Sequence, residues 1–329
     1  MTALVGLAVS AVLLWWALRD VHLADVLRHA RAADPLLLLL AVAVATSTFP
    51  LRLLRWRHLL HRDDGGQLPV AALWHAIAIG FMANNVLPFR AGEVMRTYAV
   101  TRLGGARFSA ALSSIVVERV FDGLAVVALL AYALLAPGLP AAVGTGGLPV
   151  ARITALAGAA FGAALLAALA VVLWPLPAER LVRRVVPSER FAERLVRLIE
   201  GVRHGLGALE SPSRTAAVVA WTLVLWLVNA LSFYIAFRAF GFELGDPAAL
   251  LVQGIVVFGI ALPAAPGGVG VFELAIKAAL VLYAVPPDAA VSYAVTYHAT
   301  TFVPITLLGA WSLFRTSLGV RQLRTPPVA

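Results

Sequence analysis

Eight apolar runs alternate with short polar stretches along the chain, at about residues 2–18, 35–51, 68–88, 109–136, 150–174, 215–240, 248–284 and 289–314. Most approach the ~20 residues that a helix needs to cross a hydrocarbon core of about 30 Å. The predicted elements are membrane helices, and the predicted fold class is an all-α polytopic membrane protein. The polar stretches between the runs are unequal. Arg52, Arg55, Arg57 and Arg62 form one basic cluster, and Arg90, Arg96, Arg102 and Arg107 a second. Arg180, Arg183, Arg184, Arg190, Arg194, Arg197, Arg203 and Arg214 form a third, and Arg315, Arg321 and Arg324 close the chain. The stretch 137–149 carries no charge, and 241–247 carries only Glu243 and Asp246.

Basic clusters belong on the cytoplasmic side of a membrane. If each run crossed once, the second and third clusters would fall on the opposite side from the first. All four reach the cytoplasm if 68–105 enters from that side and returns. The same logic makes 248–284 a hairpin entering from the other face. Its arms, 248–262 and 269–284, are about 15 residues each, or roughly 22 Å of helix, and "PAAPGGVG" between them is rich in helix breakers. The pattern predicts about six full spans, two oppositely oriented re-entrant helical hairpins and cytoplasmic termini, with Gly65 and Gly104 on the cytoplasmic side. Eight ordinary spans are the alternative.

A repeat follows from the same pattern. Span 35–51, hairpin 68–105 and span 109–136 make repeat one, about 35–136, and span 215–240, hairpin 248–284 and span 289–314 make repeat two, about 215–314. Glu93 stands 25 residues before Glu118, as Glu273 does before His298. Inverted repeats with broken helices are a transporter architecture. Between the repeats, about 178–210, Phe191, Leu195, Leu198, Ile199, Val202, Leu206 and Leu209 fall at helical spacing behind Ser188 as N-cap. This basic amphipathic helix either connects the bundle or lies on anionic headgroups at the cytoplasmic surface. The whole chain, 1–329, reads as one transmembrane domain.

Composition sharpens the class. Apolar residues make up 61% of the chain and charged ones 13%, with a mean hydropathy of +0.89 and no cysteine. Disulfides, thiol nucleophiles and Cys-ligated zinc are excluded. The net charge of +9 is read as cytoplasmic loops facing anionic lipid, not as nucleic-acid binding. The first run lacks a basic stretch before it and is read as a retained span, not a cleaved signal. No P-loop, dinucleotide fingerprint, nucleophile elbow or HExxH is present, and the longest polar segment, 175–214, is too short for a soluble catalytic domain. No cofactor and no metal are expected.

A charge at the bilayer centre costs about 3 kcal/mol on insertion scales, so ionisable residues within the runs are functional candidates. The first group is Asn84, Asn85, Arg90, Gly92, Glu93 and Arg96 in "FMANNVLPFRAGEVMR". Amides can satisfy broken backbone, and Glu93 and Arg96, at i, i+3, can share a face. The second is "ERVFD", where Glu118 and Asp122 lie on one helical face and Arg119 is expected as their buried partner. Loss of Arg119 is accordingly expected to destabilise more than loss of Arg96. The third is Pro266, Gly267, Gly268, Gly270 and Glu273, where free N–H groups at the start of a half-helix suit an anion. The fourth is Tyr297 with His298. Each has a structural alternative: a capped surface turn, an ion-pair lock between helices, close packing through small residues, and a hydrogen-bonded filler histidine.

"NNVLPFRAGEVMR", "SSIVVERVFDGLAV" and "LPAAPGGVGVFELA", in this order and spacing, resemble the lysylphosphatidylglycerol synthase transmembrane-region family of flippase-like integral membrane proteins, over about 35–314. In that family the membrane region occurs alone or fused to a soluble transferase, and is associated with moving modified phospholipids or lipid-linked saccharides between leaflets. The resemblance puts Arg90, Gly92, Glu93 and Arg96 in its first motif, Glu118, Arg119 and Asp122 in its second, and Pro266, Gly267, Gly268, Gly270 and Glu273 in its third. Where many members carry an arginine after the tyrosine of the final span, this chain has His298. The expectation is a lipid flippase or transporter of a bacterial or archaeal cytoplasmic membrane, with these residues and the two asparagines around a headgroup cavity. Its partners would be membrane lipids with anionic headgroups. The alternatives are a membrane-embedded lipid-phosphate transferase and a scaffold for a separate lipid-modifying synthase.

Overall fold

The computed structural model describes residues 12–19, 21–62, 64–87, 91–136, 175–186, 211–261 and 265–316, with a few isolated positions elsewhere. These are helical throughout, apart from turns and a single bridge between His61 and Gln67. After a helical segment at 12–18 come α1 (Leu23–Ala32), α2 (Pro35–Thr46), α3 (Thr48–Leu59), α4 (Val70–Val86), α5 (Gly92–Gly104) and α6 (Phe108–Leu135). Then follow α7 (Pro175–Val185), α8 (Pro212–Ala239), α9 (Asp246–Ala261), a 3₁₀ turn (Pro266–Gly268), α10 (Val271–Val281) and α11 (Pro287–Arg315). The apolar runs 2–18 and 150–174 and the amphipathic helix 178–210 lie largely outside the described residues.

Local chemistry sets the ends. Asp34 caps α2 by accepting from the N–H groups of Leu36 and Leu37 at 2.8 and 3.2 Å, and Pro35 follows at the first helical position. α2 and α3 join at Ser47 in helical geometry, giving one apolar rod, Pro35–Leu59, of 25 residues. That rod and α8, with 28 residues, are long and apolar enough to cross a membrane. The first rod therefore outruns the predicted span 35–51 by two turns. It carries Arg52 and Arg55 into the protein, where they are 8% and 0% exposed, instead of leaving them in a cytoplasmic loop.

α4 and α5 form an antiparallel hairpin. Gly80 faces Gly92 and Arg96, while Leu68 and Ala72 meet Gly104. The approach is intimate: a Cβ on Gly92 would stand 2.0 Å from the Gly80 carbonyl oxygen. α9 and α10 form a second antiparallel hairpin, in which Gly259 meets Val271 and Ala275. Its break uses Gly267, Gly268 and Gly270 at φ of 71°, 74° and 88°, a region closed to most side chains. The four arms have 17, 13, 16 and 11 residues. At 1.5 Å per residue they run about 17–26 Å.

The element order helix, hairpin, long helix thus occurs twice: α2–α3, α4–α5, α6 and then α8, α9–α10, α11. The packing between the two sets is reciprocal. α4 lies against α11, and α9 against α6, while α8 packs on α2 and α3. One apolar core gathers Phe49, Leu53, Trp56, Leu73, Ile77 and Ile115, and a second gathers Phe233, Phe237, Val252, Ile276, Tyr293 and Tyr297. At one end of the bundle, burial and then the nearby charges of Arg214 and His58 hold the His61 imidazole below its usual pKa. The start of α8 therefore sits beside the α3–α4 connection, the same end as Gly104.

Candidate functional site: a buried arginine–carboxylate cluster beside two hairpin tips

The helical spacing of α3 turns Phe49, Arg52, Leu53, Arg55, Trp56 and Leu59 inward. On α6 the i+4 series Ser114, Glu118 and Asp122 is buried on the facing side. α5 adds Arg96 and α8 adds Thr222 and Trp226, all buried. Arg96 makes a two-pronged ion pair with Glu118, at 2.6 and 3.1 Å, and its guanidinium carbon lies 3.6 Å from the centroid of the Trp56 ring. Arg55 donates to Asp122 at 2.5 and 3.4 Å and to the Thr222 hydroxyl at 3.2 Å, and stands 3.6 Å from Glu118. Indole N–H groups finish the shell: Trp226 donates to Asp122 at 2.9 Å, and Trp56 to Ser114 at 2.8 Å. Taking such ions out of water is costly, and the cost is offset only when geometry is good and the remaining lone pairs are bonded. Here each buried carboxylate has at least one arginine in direct contact.

Arg119, on the flank of α6, has a side chain 38% exposed; it pairs with Asp122 at 3.0 Å and approaches Glu93 at 4.0 Å. Arg52, one helical turn from Arg55, lies over the Phe81 ring with its guanidinium carbon 4.7 Å from the centroid.

The second cluster is built on the hairpin break. Glu273 folds back onto the start of α10 and accepts from the Gly270 N–H at 2.6 Å, the N3 half of a capping box, since the glycine N-cap has no side chain to return the bond. Its other oxygen is 2.6 Å from Nδ1 of His298 on α11, whose Nε2 is 3.1 Å from the Gly267 carbonyl. Both partners of the imidazole are acceptors. The bridge therefore needs either a proton on each ring nitrogen or a protonated Glu273 carboxyl. The His298 ring is stacked on Phe272 at 4.2 Å and edged by Phe302 at 5.8 Å.

The two hairpin tips meet over the middle of α11. Asn84 accepts from the Gly92 N–H at 2.9 Å, bridging the first break, while Asn85 donates to the Thr306 hydroxyl at 2.8 Å. A Cβ on Gly267 would stand 2.5 Å from Phe302 and 3.4 Å from the Asn85 carbonyl. Pro304 lies inside α11 between Phe302 and Thr306. It removes a backbone donor beside the Asn85 amide, which reaches the Phe302 carbonyl at 3.5 Å.

A model of the lysylphosphatidylglycerol synthase TM region matches residues 3–309. The chain belongs to that family. It is an integral membrane protein. A UPF0104 membrane protein of Methanothermobacter thermautotrophicus is 28% identical over 299 residues, covering 87% of this chain and 85% of that protein. A protein named glycosyltransferase AglD, of Haloferax volcanii, is 30% identical over 297 residues, covering 81% of this chain but 47% of that protein. The chain thus spans about half of the glycosyltransferase-named relative.

In this family member the sequence motifs fall into two clusters. Arg96, Glu118, Arg119 and Asp122 gather in the first, with Glu93 at its edge; Asn85, Gly267, Gly270, Glu273 and His298 gather around the second. Asn84 and Gly92 hold the first break, Pro266 opens the 3₁₀ turn, and Gly268 packs on Ile260. Tyr297 is part of the apolar core, stacked on Tyr293 with its hydroxyl on Ser232. Arg90 lies outside the described residues. One expectation is corrected. Arg96, not Arg119, is the deeply buried partner of Glu118, and it reaches across to α6 instead of pairing with Glu93 one turn away. Arg52, Arg55, Thr222 and Trp226 were not legible as site residues. The available signal was "FPLRLLRWRHL", whose apolar positions Phe49, Leu53 and Trp56 keep helical spacing past the run's end. His22, Asp25 and Asp288 also lie close enough to share an ion, but the Asp288 carboxylate accepts the His22 N–H at 2.9 Å and Asp25 pairs with Arg28. That accounts for the grouping as a contact between α1 and α11.

Proposed function

We propose that this membrane protein moves a phosphate-bearing lipid, a phospholipid or a polyprenyl-linked one, between the leaflets of a bacterial or archaeal cytoplasmic membrane. The observation that carries the proposal is the buried arginine cluster beside two half-length hairpins. Guanidinium groups at membrane depth suit a phosphate headgroup, and the broken backbone of the hairpins suits a polar cavity. The tails stay in lipid while the headgroup passes between the hairpin tips. Membership of a family described as the lysylphosphatidylglycerol synthase TM region supports a lipid ligand.

In this proposal α4–α5 and α9–α10 are re-entrant from opposite faces, α2–α3, α6, α8 and α11 together with the apolar runs 2–18 and 150–174 make about six spans, and both termini are cytoplasmic. Arms of about 17–26 Å, short of a 30 Å core, support it. So does the reciprocal packing of α4 on α11 and α9 on α6, as an inverted repeat requires. A cysteine at the exposed position Asp64 and another at Arg107, in this cysteine-free chain, should both react with a membrane-impermeant thiol reagent from the cytoplasmic side. Labelling of position 107 from the outside alone would make the first hairpin a full crossing.

Lipid movement is tested in proteoliposomes by headgroup accessibility over time. Glu273→Gln keeps size and a hydrogen bond to Gly270 but has neither the carboxylate charge nor the carboxyl proton that the bridge to His298 uses. It should slow movement about tenfold or more, the scale of one lost charge-assisted hydrogen bond, while the protein stays folded. Glu93→Gln should act in the same direction through Arg119. Wild-type rates for both variants would remove these carboxylates from the mechanism.

A second reading has one observation in its favour, the glycosyltransferase-named relative of which the chain spans 47%. The chain would then be a membrane-embedded transferase acting on lipid phosphate, or the membrane partner of a separate lipid-modifying enzyme. In the latter role the arginine-rich surface of α7, where Arg180, Arg183 and Arg184 are exposed, is available to anionic headgroups or to that enzyme. Turnover of lipid by the purified chain would favour the transferase.

A further inference from the structure

Among the described residues, four guanidinium groups, those of Arg52, Arg55, Arg96 and Arg119, share the first cluster with three carboxylates, those of Glu93, Glu118 and Asp122. The pairing is uneven. Arg55 and Arg96 each have terminal nitrogens committed to a carboxylate, and Arg119 commits one to Asp122. Arg52 is more than nine-tenths buried, and among the described residues it has no hydrogen bond and no ion pair. Asp122, Glu118, Arg55 and Arg119 all lie within its electrostatic range, but no carboxylate touches it. Its one close partner is the face of Phe81. A ring contact stabilises a desolvated cation but takes up no hydrogen-bond donor. An uncompensated buried charge costs more than such a contact offsets. The Nε–H groups of all four arginines lack an acceptor among the described residues, but only Arg52 has no terminal nitrogen committed to a carboxylate.

We propose that Arg52 and Arg119 form the phosphate-binding subsite of this cluster, and that its ligand is a phosphodiester. The planar fork of each guanidinium matches two phosphate oxygens, and the single negative charge of a phosphodiester balances the one excess cation. Arg55 and Arg96 are held by Asp122 and Glu118 as a rigid cationic floor and do not bind the ligand directly. The inference deepens the lipid-transport reading by naming where the headgroup phosphate sits, and it needs only a phosphate ester, from a lipid or free in solution.

A protein that keeps an unpaired buried cation for binding is less stable empty than it would be without that cation. Arg52→Gln should therefore unfold at a higher temperature than the wild type in detergent without added lipid. Dioctanoyl phosphatidylglycerol should raise the wild-type unfolding temperature, dioctanoylglycerol should not, and Arg52→Gln should bind the phospholipid at least about tenfold more weakly, as expected for losing one charge-assisted contact. Arg52→Lys, which keeps the charge but not the fork, should also bind more weakly than the wild type. Arg28→Gln, whose side chain is 70% exposed, is the control and should bind like the wild type. Stabilisation by inorganic phosphate equal to that by phosphatidylglycerol would overturn the assignment of a phosphodiester headgroup to the subsite. Unchanged phosphatidylglycerol binding by both Arg52 variants would overturn the subsite, and so would an Arg52→Gln protein that unfolds below the wild type and binds normally. A wild type that moves no lipid in liposomes, yet loses phosphate-ester binding with Arg52→Gln, would overturn the transport reading and leave the subsite standing.

Discussion

Replacing Arg55 by alanine should destabilise the protein by about 3–5 kcal/mol, the scale for removing one partner of a buried ion pair. Arg55 is fully buried and ties three helices: α3, which carries it, α6 through Asp122 and Glu118, and α8 through Thr222. Its loss strands Asp122 with Trp226 and the half-exposed Arg119. Arg96→Ala should cost a similar amount, because it takes both strong bonds from Glu118 and uncovers the Trp56 ring. Arg119→Ala should cost about 1 kcal/mol or less, because water reaches its side chain. Lysine at position 55 should rescue little, since it lacks the planar fork whose two separate nitrogens meet the two oxygens of Asp122. Unfolding in detergent, followed by heat or denaturant, measures the series. Equal and small shifts for all three alanine variants would mean that the cluster is hydrated and that its ion pairs do not hold the helices.

The second large effect belongs to Gly92. Valine there would drive its Cβ to 2.0 Å from the Gly80 carbonyl oxygen and 2.5 Å from Oδ1 of Asn84. The first atom is helix backbone, and the second is held by the Gly92 N–H at 2.9 Å. Neither can yield without parting α4 from α5, so Gly92→Val should cost about 3 kcal/mol, the upper range for overpacking, and abolish lipid movement. Gly245→Ala, whose new methyl would meet only Pro247 at 3.3 Å, should change stability by less than about 0.5 kcal/mol. A Gly92→Val protein with wild-type stability would show that the hairpin arms are not locked at this crossing.

The features that the chain fixed by itself are those written in adjacent residues. Long apolar runs fold as helices whatever surrounds them, because a helix satisfies its backbone in lipid within a single segment. Proline and glycine between 87 and 92 and between 262 and 270 stop a helix locally, so the two breaks were readable. The i+4 spacing of Glu118 and Asp122 put them on one face before any partner was known.

Partner choice was decided only by the tertiary structure. Local spacing offered Arg96 to Glu93, yet burial gave it to Glu118, 22 residues away, because Glu118 is fully enclosed and Glu93 sits at the rim, its side chain 35% exposed. Arg52 and Arg55 end an apolar run just as solvated loop arginines would. What buries them is a carboxylate 67 residues on from Arg55, a phenyl ring on α4 and a hydroxyl 167 residues on. Trp226 reaches Asp122 across 104 residues. Sequence determines which segments become helices, because that depends on near neighbours. Whether an arginine at a helix end lies in water, in a carboxylate's grip or alone over an aromatic ring depends on which distant helix packs beside it, and packing alone sets that.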